Sequence, residues 1–236
     1  MNIYRNVWDY VTEEELGQTQ LFAGISPMAL RKIIICSRAY IISYKRGEYS
    51  FREGDEPQNL YVLLSGNVLI LKDYIHGRRN VFFETHEKEC YGILIDHHEG
   101  ERYWYDTLVM ADSIALAIPW SFIFEFCSHV CIDHQTLLKN MVSVQADTCV
   151  YQMKKLHILS GVTLEAKIAL LMAELADEQG YVDFKMNREE LAAYLGVSRP
   201  SLSRSLMLMR EQGLIEVHRS RARILDADGL KGLWQK

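Results

Sequence analysis

The chain has 236 residues, 49% of them hydrophobic and 24% charged, a composition suited to two modest cores that excludes disordered and collagen-like classes. Averaged over its whole length, the formal net charge of -5 gives no hint of a nucleic-acid partner. The longest apolar stretches, such as Ile114 to Phe124, are broken by Pro119 and Trp120 or are too short to span a bilayer, so no membrane partner is expected.

Met1 to Gln20 carries Asp9 and Glu13 to Glu15 and lacks a basic region leading into an apolar stretch. It does not read as a secretion signal, and the expected compartment is the cytoplasm. Five cysteines (Cys36, Cys90, Cys127, Cys131 and Cys149) are an odd number, scattered without a CxxC pair, which argues for reduced thiols and against a zinc ribbon.

Ser26, followed by Pro27 and then Met28, Leu30, Ile33 and Ile34, predicts a short capped helix. From Tyr40 to Ile118 the period changes to two. Turn clusters at Lys45-Arg46-Gly47-Glu48, Arg52-Glu53-Gly54-Asp55, Ser65-Gly66-Asn67 and His76-Gly77-Arg78 separate short runs rich in Ile, Val, Leu, Tyr and Phe. That spacing predicts a compact antiparallel roll or barrel.

After Pro119, Ser121 to Ser160 contains neither proline nor glycine. Apolar rows run through Leu138, Val142, Gln145, Cys149, Gln152, Leu156 and Leu159 and, beside them, through Leu137, Met141, Val144, Thr148 and Tyr151. A helix of that length needs a partner surface, either its own roll or a second copy across a two-fold axis; the glutamines in the seam suit the second copy. Ser160-Gly161 then interrupts it. Thr163-Leu164-Glu165 opens another helix to about Gln179, and Tyr181 to Lys185 is extended. The expected divisions are therefore 1–120, 121–160 and 161–236.

Asn187-Arg188-Glu189-Glu190 has the form of a reciprocal helix cap. Leu191, Ala192 and Leu195 supply one apolar face, Gly196 a sharp turn, and Ser198 with Pro200 the start of a second helix to about Gln212. In that second helix Leu202, Leu206 and Met209 point inward, leaving Arg199, Ser201, Ser203 and Arg204 outside. Two helices joined in this way form a helix-turn-helix, whose second helix enters the DNA major groove. Gly213 to Leu225 reads as a hairpin with a basic tip, His218-Arg219-Ser220-Arg221, a wing beside the groove. Asn187 to Arg223 holds seven arginines, no lysine and four glutamates, so it is about +3 inside an acidic chain. Such segregation is the electrostatic footprint of a DNA-binding module. A cupin-like metalloenzyme or a regulatory subunit without DNA activity would leave it unexplained.

Three blocks, Gly47 to Asp55, Leu60 to Val68 and Leu191 to Ile215 with Leu195-Gly196-Val197-Ser198-Arg199-Pro200-Ser201-Leu202-Ser203-Arg204, resemble the CRP/FNR superfamily of transcription regulators over nearly the whole chain. The resemblance implies an α+β protein: an N-terminal antiparallel double-stranded beta roll (jelly roll), a long dimerisation helix and a C-terminal winged helix-turn-helix. It implies a homodimer that is not an enzyme, acting on double-stranded DNA with a near-palindromic operator, with RNA polymerase as a further partner and a small-molecule effector between roll and dimer helix. The recognition-helix positions at which family members read bases correspond to Arg199, Pro200 and Arg204. Pro200 cannot accept a hydrogen bond from cytosine, whereas Arg204 suits a bidentate guanine contact. Arg199, Ser201 and Ser203 suit bases or phosphates, and Ser198, Arg219 and Arg221 complete the expected DNA contacts.

In cyclic-AMP-binding members a Gly-Glu pair holds the ribose and an Arg-Ser pair the cyclic phosphate. Here Tyr91-Gly92-Ile93-Leu94-Ile95 keeps the glycine, but Ile93 stands for the carboxylate, and Tyr103-Trp104 align with the Arg-Ser pair beside Arg102. The alignment brings Cys149 and Val150 to the positions that would meet the adenine. An effector other than cyclic AMP is therefore expected. Tyr91, Tyr103, Trp104 and Tyr105 suit an apolar or aromatic molecule, or simply fill the roll. A metal-, haem- or redox-sensing regulator is the alternative. Met1 to Ile35 has no cysteine for an iron-sulfur cluster, but Cys127, Cys131 and His134 share a helical face near His129, a set able to ligate a soft metal, although packing is commoner for such cysteines. His97-His98 reads as a solvated pair. No cofactor is assigned.

Overall fold

Alternation in the first half of the chain separates two sets of side chains, and the sheet that results is buried on both faces. The computed structural model describes residues 1–74, 79–93, 102–124 and 131–235. Leu94, His97, His98, Cys127 and His129 lie outside the described residues. Strand β1 (Asn2–Tyr4) and helices α1 (Glu13–Gly17) and α2 (Pro27–Ser37) precede β2 (Tyr40–Tyr44), β3 (Asn59–Ser65), β4 (Val68–Asp73), β5 (Arg79–Thr85), β6 (Cys90–Tyr91), β7 (Asp106–Val109) and β8 (Ser113–Pro119). The Ser26 hydroxyl accepts from the Ala29 N-H and Pro27 occupies the first turn, which fixes the start of α2.

The strands form two antiparallel sheets, in the orders β1-β2-β8-β3-β6 and β5-β4-β7. On one face of the first sheet Ile41, Leu60, Val62, Leu116 and Ile118 pack with Leu30, Ile33 and Ile34 of α2. On the other, Ile42, Tyr44, Tyr61, Leu63, Ala115 and Ala117 turn into the roll. The register sets Tyr61 beside Ala117 and Leu63 beside Ala115, so small residues make room for rings.

Helices α3 (Trp120–Phe124) and α4 (Ile132–Leu159) follow. The long helix therefore begins later than the proline-free stretch does. Chain contacts divide the protein into two units, 1–147 and 148–236, so this division falls inside α4. The reason is that α4 serves two cores: Leu137, Leu138 and Met141 pack with the roll, and Ile158 with the second core. The row expected to run through Leu138 and Gln145 is thus not a uniform face. The residues of α4 left open to solvent are Ile132, Val142, Ala146, Cys149, Val150, Tyr151, Met153 and Leu156, together with polar neighbours.

The second unit contains α5 (Leu164–Leu175), β9 (Tyr181–Asp183), α6 (Arg188–Tyr194), α7 (Arg199–Glu211), β10 (Ile215–His218), β11 (Arg221–Ile224) and α8 (Ala227–Lys231). Helix α5 stops short of Gln179 because the Asp177 carboxylate accepts from the N-H groups of Gln179 (3.0 Å) and Tyr181 (2.8 Å), closing a turn. The three strands pair antiparallel in the order β10-β11-β9.

Gly66, in the turn from β3 to β4, has φ +93°, and a Cβ there would lie 2.1 Å from Ser113 Oγ. Gly66→Ala is expected to cost about 2 to 4 kcal/mol in urea unfolding, combining backbone strain with steric overlap. Gly54→Ala, at φ +87° in open space, should show only the strain, about 1 kcal/mol.

Candidate nucleic-acid interface and effector region

Helix α6 is fixed at its start by a reciprocal cap. Asn187 Oδ1 accepts from the N-H groups of Glu189 (2.9 Å) and Glu190 (3.1 Å), and Glu190 Oε2 accepts from the Asn187 N-H (2.7 Å). Buried Leu191, Ala192 and Leu195 pack with Leu202, Leu206 and Met209 of α7. Gly196, at φ +70°, makes the turn, and the Ser198 hydroxyl accepts from the Ser201 N-H to open α7. Two helices thus cross through a short turn, held by an apolar seam and two caps.

Opposite that seam, at steps of four, three and four residues, lie Pro200, Arg204, Met207 and Glu211, all exposed. Arg199, Ser203 and Arg210 flank this row on one side. Ser198 and Ser201 are engaged with each other, their hydroxyls 2.9 Å apart, and Arg204 Nη2 lies 3.5 Å from Ser201 Oγ. That contact steadies the Arg204 side chain while leaving most of its guanidinium donors open. Sequence reasoning missed Met207, because an apolar residue in this helix reads as core until the burial of Leu206 and Met209 is known. Arg188, in the first turn of α6, has a partly buried guanidinium whose Nη1 finds no hydrogen-bond partner among the described residues, and burial lowers its pKa.

The hairpin β10-β11 pairs His218 with Arg221, leaving Arg219 and Ser220 at its tip. Arg219 sits at φ +52°, a conformation that favours glycine or asparagine. Arg221 lies 3.5 Å from the Asp183 carboxylate, and the Arg223 guanidinium rests over the Tyr181 ring at 4.8 Å. Among the described residues Arg219 is therefore the wing arginine with neither an ion pair nor a ring contact.

In the first unit the expected effector residues separate into two groups. Tyr91, Tyr103 and Tyr105 are almost wholly buried inside the roll. Tyr103 stacks on Phe51 with ring centroids 3.6 Å apart, Tyr61 on Tyr91 at 4.8 Å, and Tyr105 meets Phe51 edge-on at 5.5 Å. Ser50 Oγ links Tyr44 and Tyr91, at 2.9 and 3.1 Å from their hydroxyls. Burial pushes the Tyr61 phenol up to about 12 and raises those of Tyr44, Tyr91, Tyr103 and Tyr105, so all remain neutral at physiological pH. Gly92, at φ +81°, admits the Tyr61 ring, which would lie 3.0 Å from a Cβ there. Ile93 is half-buried against the core on the helical side of the sheet.

Arg102 and Trp104 are directed elsewhere. Arg102 donates to Gly54 O (2.8 Å) and to Glu56 Oε1 (2.9 Å) at the surface. Trp104 is 56% exposed, with its ring beside Phe82. Cys149 is exposed on α4. His134 is buried and stacks on Phe122 at 4.6 Å, while Cys131 Sγ lies 3.8 Å from Asp133 Oδ2. Among the described residues no group of three His, Cys, Asp or Glu side chains is placed to hold a metal ion.

A two-sheet roll followed by a winged helix-turn-helix is the architecture of a DNA-binding transcription regulator with an effector-binding domain. Residues 41–129 match the profile of the cyclic nucleotide-binding domain and residues 166–233 that of the Crp-like helix-turn-helix domain. The chain belongs to the CRP/FNR family of transcription regulators, which are not enzymes. It is 21% identical over 225 residues to the CRP-like cAMP-activated global transcriptional regulator of Mycobacterium tuberculosis, covering 92% of this chain and 97% of that one. It is 24% identical to the nitrogen fixation regulation protein FixK of Azorhizobium caulinodans, covering 80% and 77%. Its fold is similar to that of a CooA mutant from Carboxydothermus hydrogenoformans, with TM-score 0.61 and 16% identity over 84% of this chain and 88% of that one. It also resembles the c-di-GMP responsive regulator CLP of Xanthomonas campestris, with TM-score 0.59 and 19% identity over 83% and 99%. No helix among the described residues is long and apolar enough to cross a membrane.

Arg219→Gly should relieve the left-handed backbone and stabilise the protein by about 1 kcal/mol in urea unfolding. If Arg219 meets a phosphate, the same change weakens DNA binding and lowers the salt slope, log K against log salt, by about 0.9 per subunit. An unchanged slope would remove Arg219 from the interface.

Proposed function

We propose that the protein is a homodimeric, cytoplasmic transcription regulator that reads a near-palindromic operator and answers to an apolar or aromatic small molecule other than cyclic AMP. The observation that carries the effector reading is the Tyr103 ring. It occupies the aligned place of the phosphate-binding arginine, stacks on Phe51, and leaves neighbouring Arg102 paired outward with Glu56. A cyclic phosphate would meet a neutral phenol there, and Ile93 offers a ribose nothing to bond. Tyr91, Gly92, Tyr103 and Tyr105 line the roll interior, where an aromatic molecule would exchange one ring contact for another. Arg102 and Trp104 have no part in this reading unless they reorient, and Cys149 has none within the roll.

The open line on α4, Val142, Ala146, Cys149, Met153 and Leu156, steps at four and three residues, the spacing of a coiled-coil seam. Covered by a second copy, it would set two recognition helices on successive major grooves about 34 Å apart. Arg204 then reads guanine, worth about 1 to 3 kcal/mol of discrimination, with Arg199, Ser203, Arg219 and Arg221 nearby for bases or phosphates. RNA polymerase is the further partner of a regulator of this kind.

Two measurements test this reading. Native mass should be that of two chains, and Met153→Glu with Leu156→Glu should yield single chains with both units folded; a monomeric unaltered protein would contradict the dimer. Millimolar cyclic AMP should leave the melting temperature unchanged. A ligand at a hundred times its Kd adds about 2.7 kcal/mol, so saturable stabilisation by cyclic AMP would overturn the effector reading.

A further inference from the structure

The outward row of α7 displays groups that hydrogen bonding cannot use. Pro200 and Met207 lie in line with Arg204, and Met207 is 53% exposed although large and apolar. Leu208 beside it is 45% exposed, and these two side chains line a shallow groove with Arg204, Glu211 and Glu165 of α5. Leaving such groups in water costs stability that a covering surface would return.

Away from Glu211 and Glu165, the charge along the N-terminal part of the row points to the covering surface. Arg204 stands between Pro200 and Met207, Arg199 and Arg210 flank them, and the segment from Asn187 to Arg223 carries about three net positive charges. An apolar protein surface would leave those arginines without partners, whereas duplex DNA satisfies both sets. From Pro200 to Met207 the helix rises roughly 10 Å, about three base-pair steps. In the major groove the apolar group on offer is the C5-methyl of thymine.

We infer that Met207, aided by Pro200 at the other end of the row, is a specificity-determining residue that reads thymine methyl groups flanking the guanine taken by Arg204. The inference rests on the DNA-reading function above. It assigns each half-site a guanine with thymine within about three base pairs, on either strand.

The test uses operators selected from randomised DNA by the full-length protein, both as purified and with deproteinised cell extract added. Each thymine is then replaced by deoxyuridine, which removes the methyl group and nothing else. At one position per half-site the replacement should weaken binding roughly fourfold, the worth of one buried methyl, and roughly fifteenfold when both half-sites carry it. Met207→Ala should reduce that difference to less than about twofold, and Met207→Leu should retain most of it, since leucine keeps the apolar volume. A selected operator that is indifferent to deoxyuridine, or equally sensitive with Met207→Ala, overturns the inference and leaves the DNA-reading function standing. Absence of any sequence preference overturns both.

Discussion

Strand β8 is enclosed on both faces, and that burial organises the first unit. Leu116 and Ile118 meet the helices, while Ala115 and Ala117 turn into the roll. Methyl groups on that inner face leave space, and five rings from separated parts of the chain, Phe51, Tyr61, Tyr91, Tyr103 and Tyr105, fill it. Each stacked or edge-on pair adds about 0.5 to 1.5 kcal/mol beyond the area it buries. Larger residues at 115 and 117 would expel the rings; smaller rings would leave a cavity. The small strand and the aromatic interior are one packing solution.

That solution bears directly on chemistry. Where a phosphate ligand would require a cation and N-H donors facing inward, the described residues of the interior present neutral phenols, and Arg102 turns to Glu56 at the surface. The roll is thus shared with relatives whose names specify cyclic nucleotides, and its described interior is lined by aromatic rings. The strands are held by their backbone ladders and by the packing of α2, whereas Tyr103 contributes to the aromatic packing between the sheets.

In the second unit the division of labour is between seam and surface. Leu202, Leu206 and Met209 secure α7 against α6, so every residue on its far side is released from structural duty. Two caps, at Asn187 and Ser198, satisfy the helix starts locally and remove any need for further polar contacts there. The left-handed backbone at Arg219 is one that a glycine would serve better.

Local signals made much of this legible in the sequence. Caps, turn glycines and the period of apolar residues are properties of a few neighbouring residues, so they disclosed the short helix at Pro27, the strands of the roll, both helices of the DNA-reading pair and the wing. The charge segregation behind a net -5 was equally visible, because it needs only counting. Properties that depend on direction in space were decided by the tertiary structure. Heptad spacing admitted two rows on α4, and packing with the roll claimed Leu137 and Leu138, leaving Met153 and Leu156 open. Neighbouring Arg102, Tyr103 and Trp104 looked like one group, but the tyrosine is buried in the roll while its two neighbours lie at the surface. Met207 and Met209 are indistinguishable by type, and only the position of the α6 seam made one of them core and the other surface. Sequence determines which residues can form an element; the face each side chain occupies depends on what that element packs against.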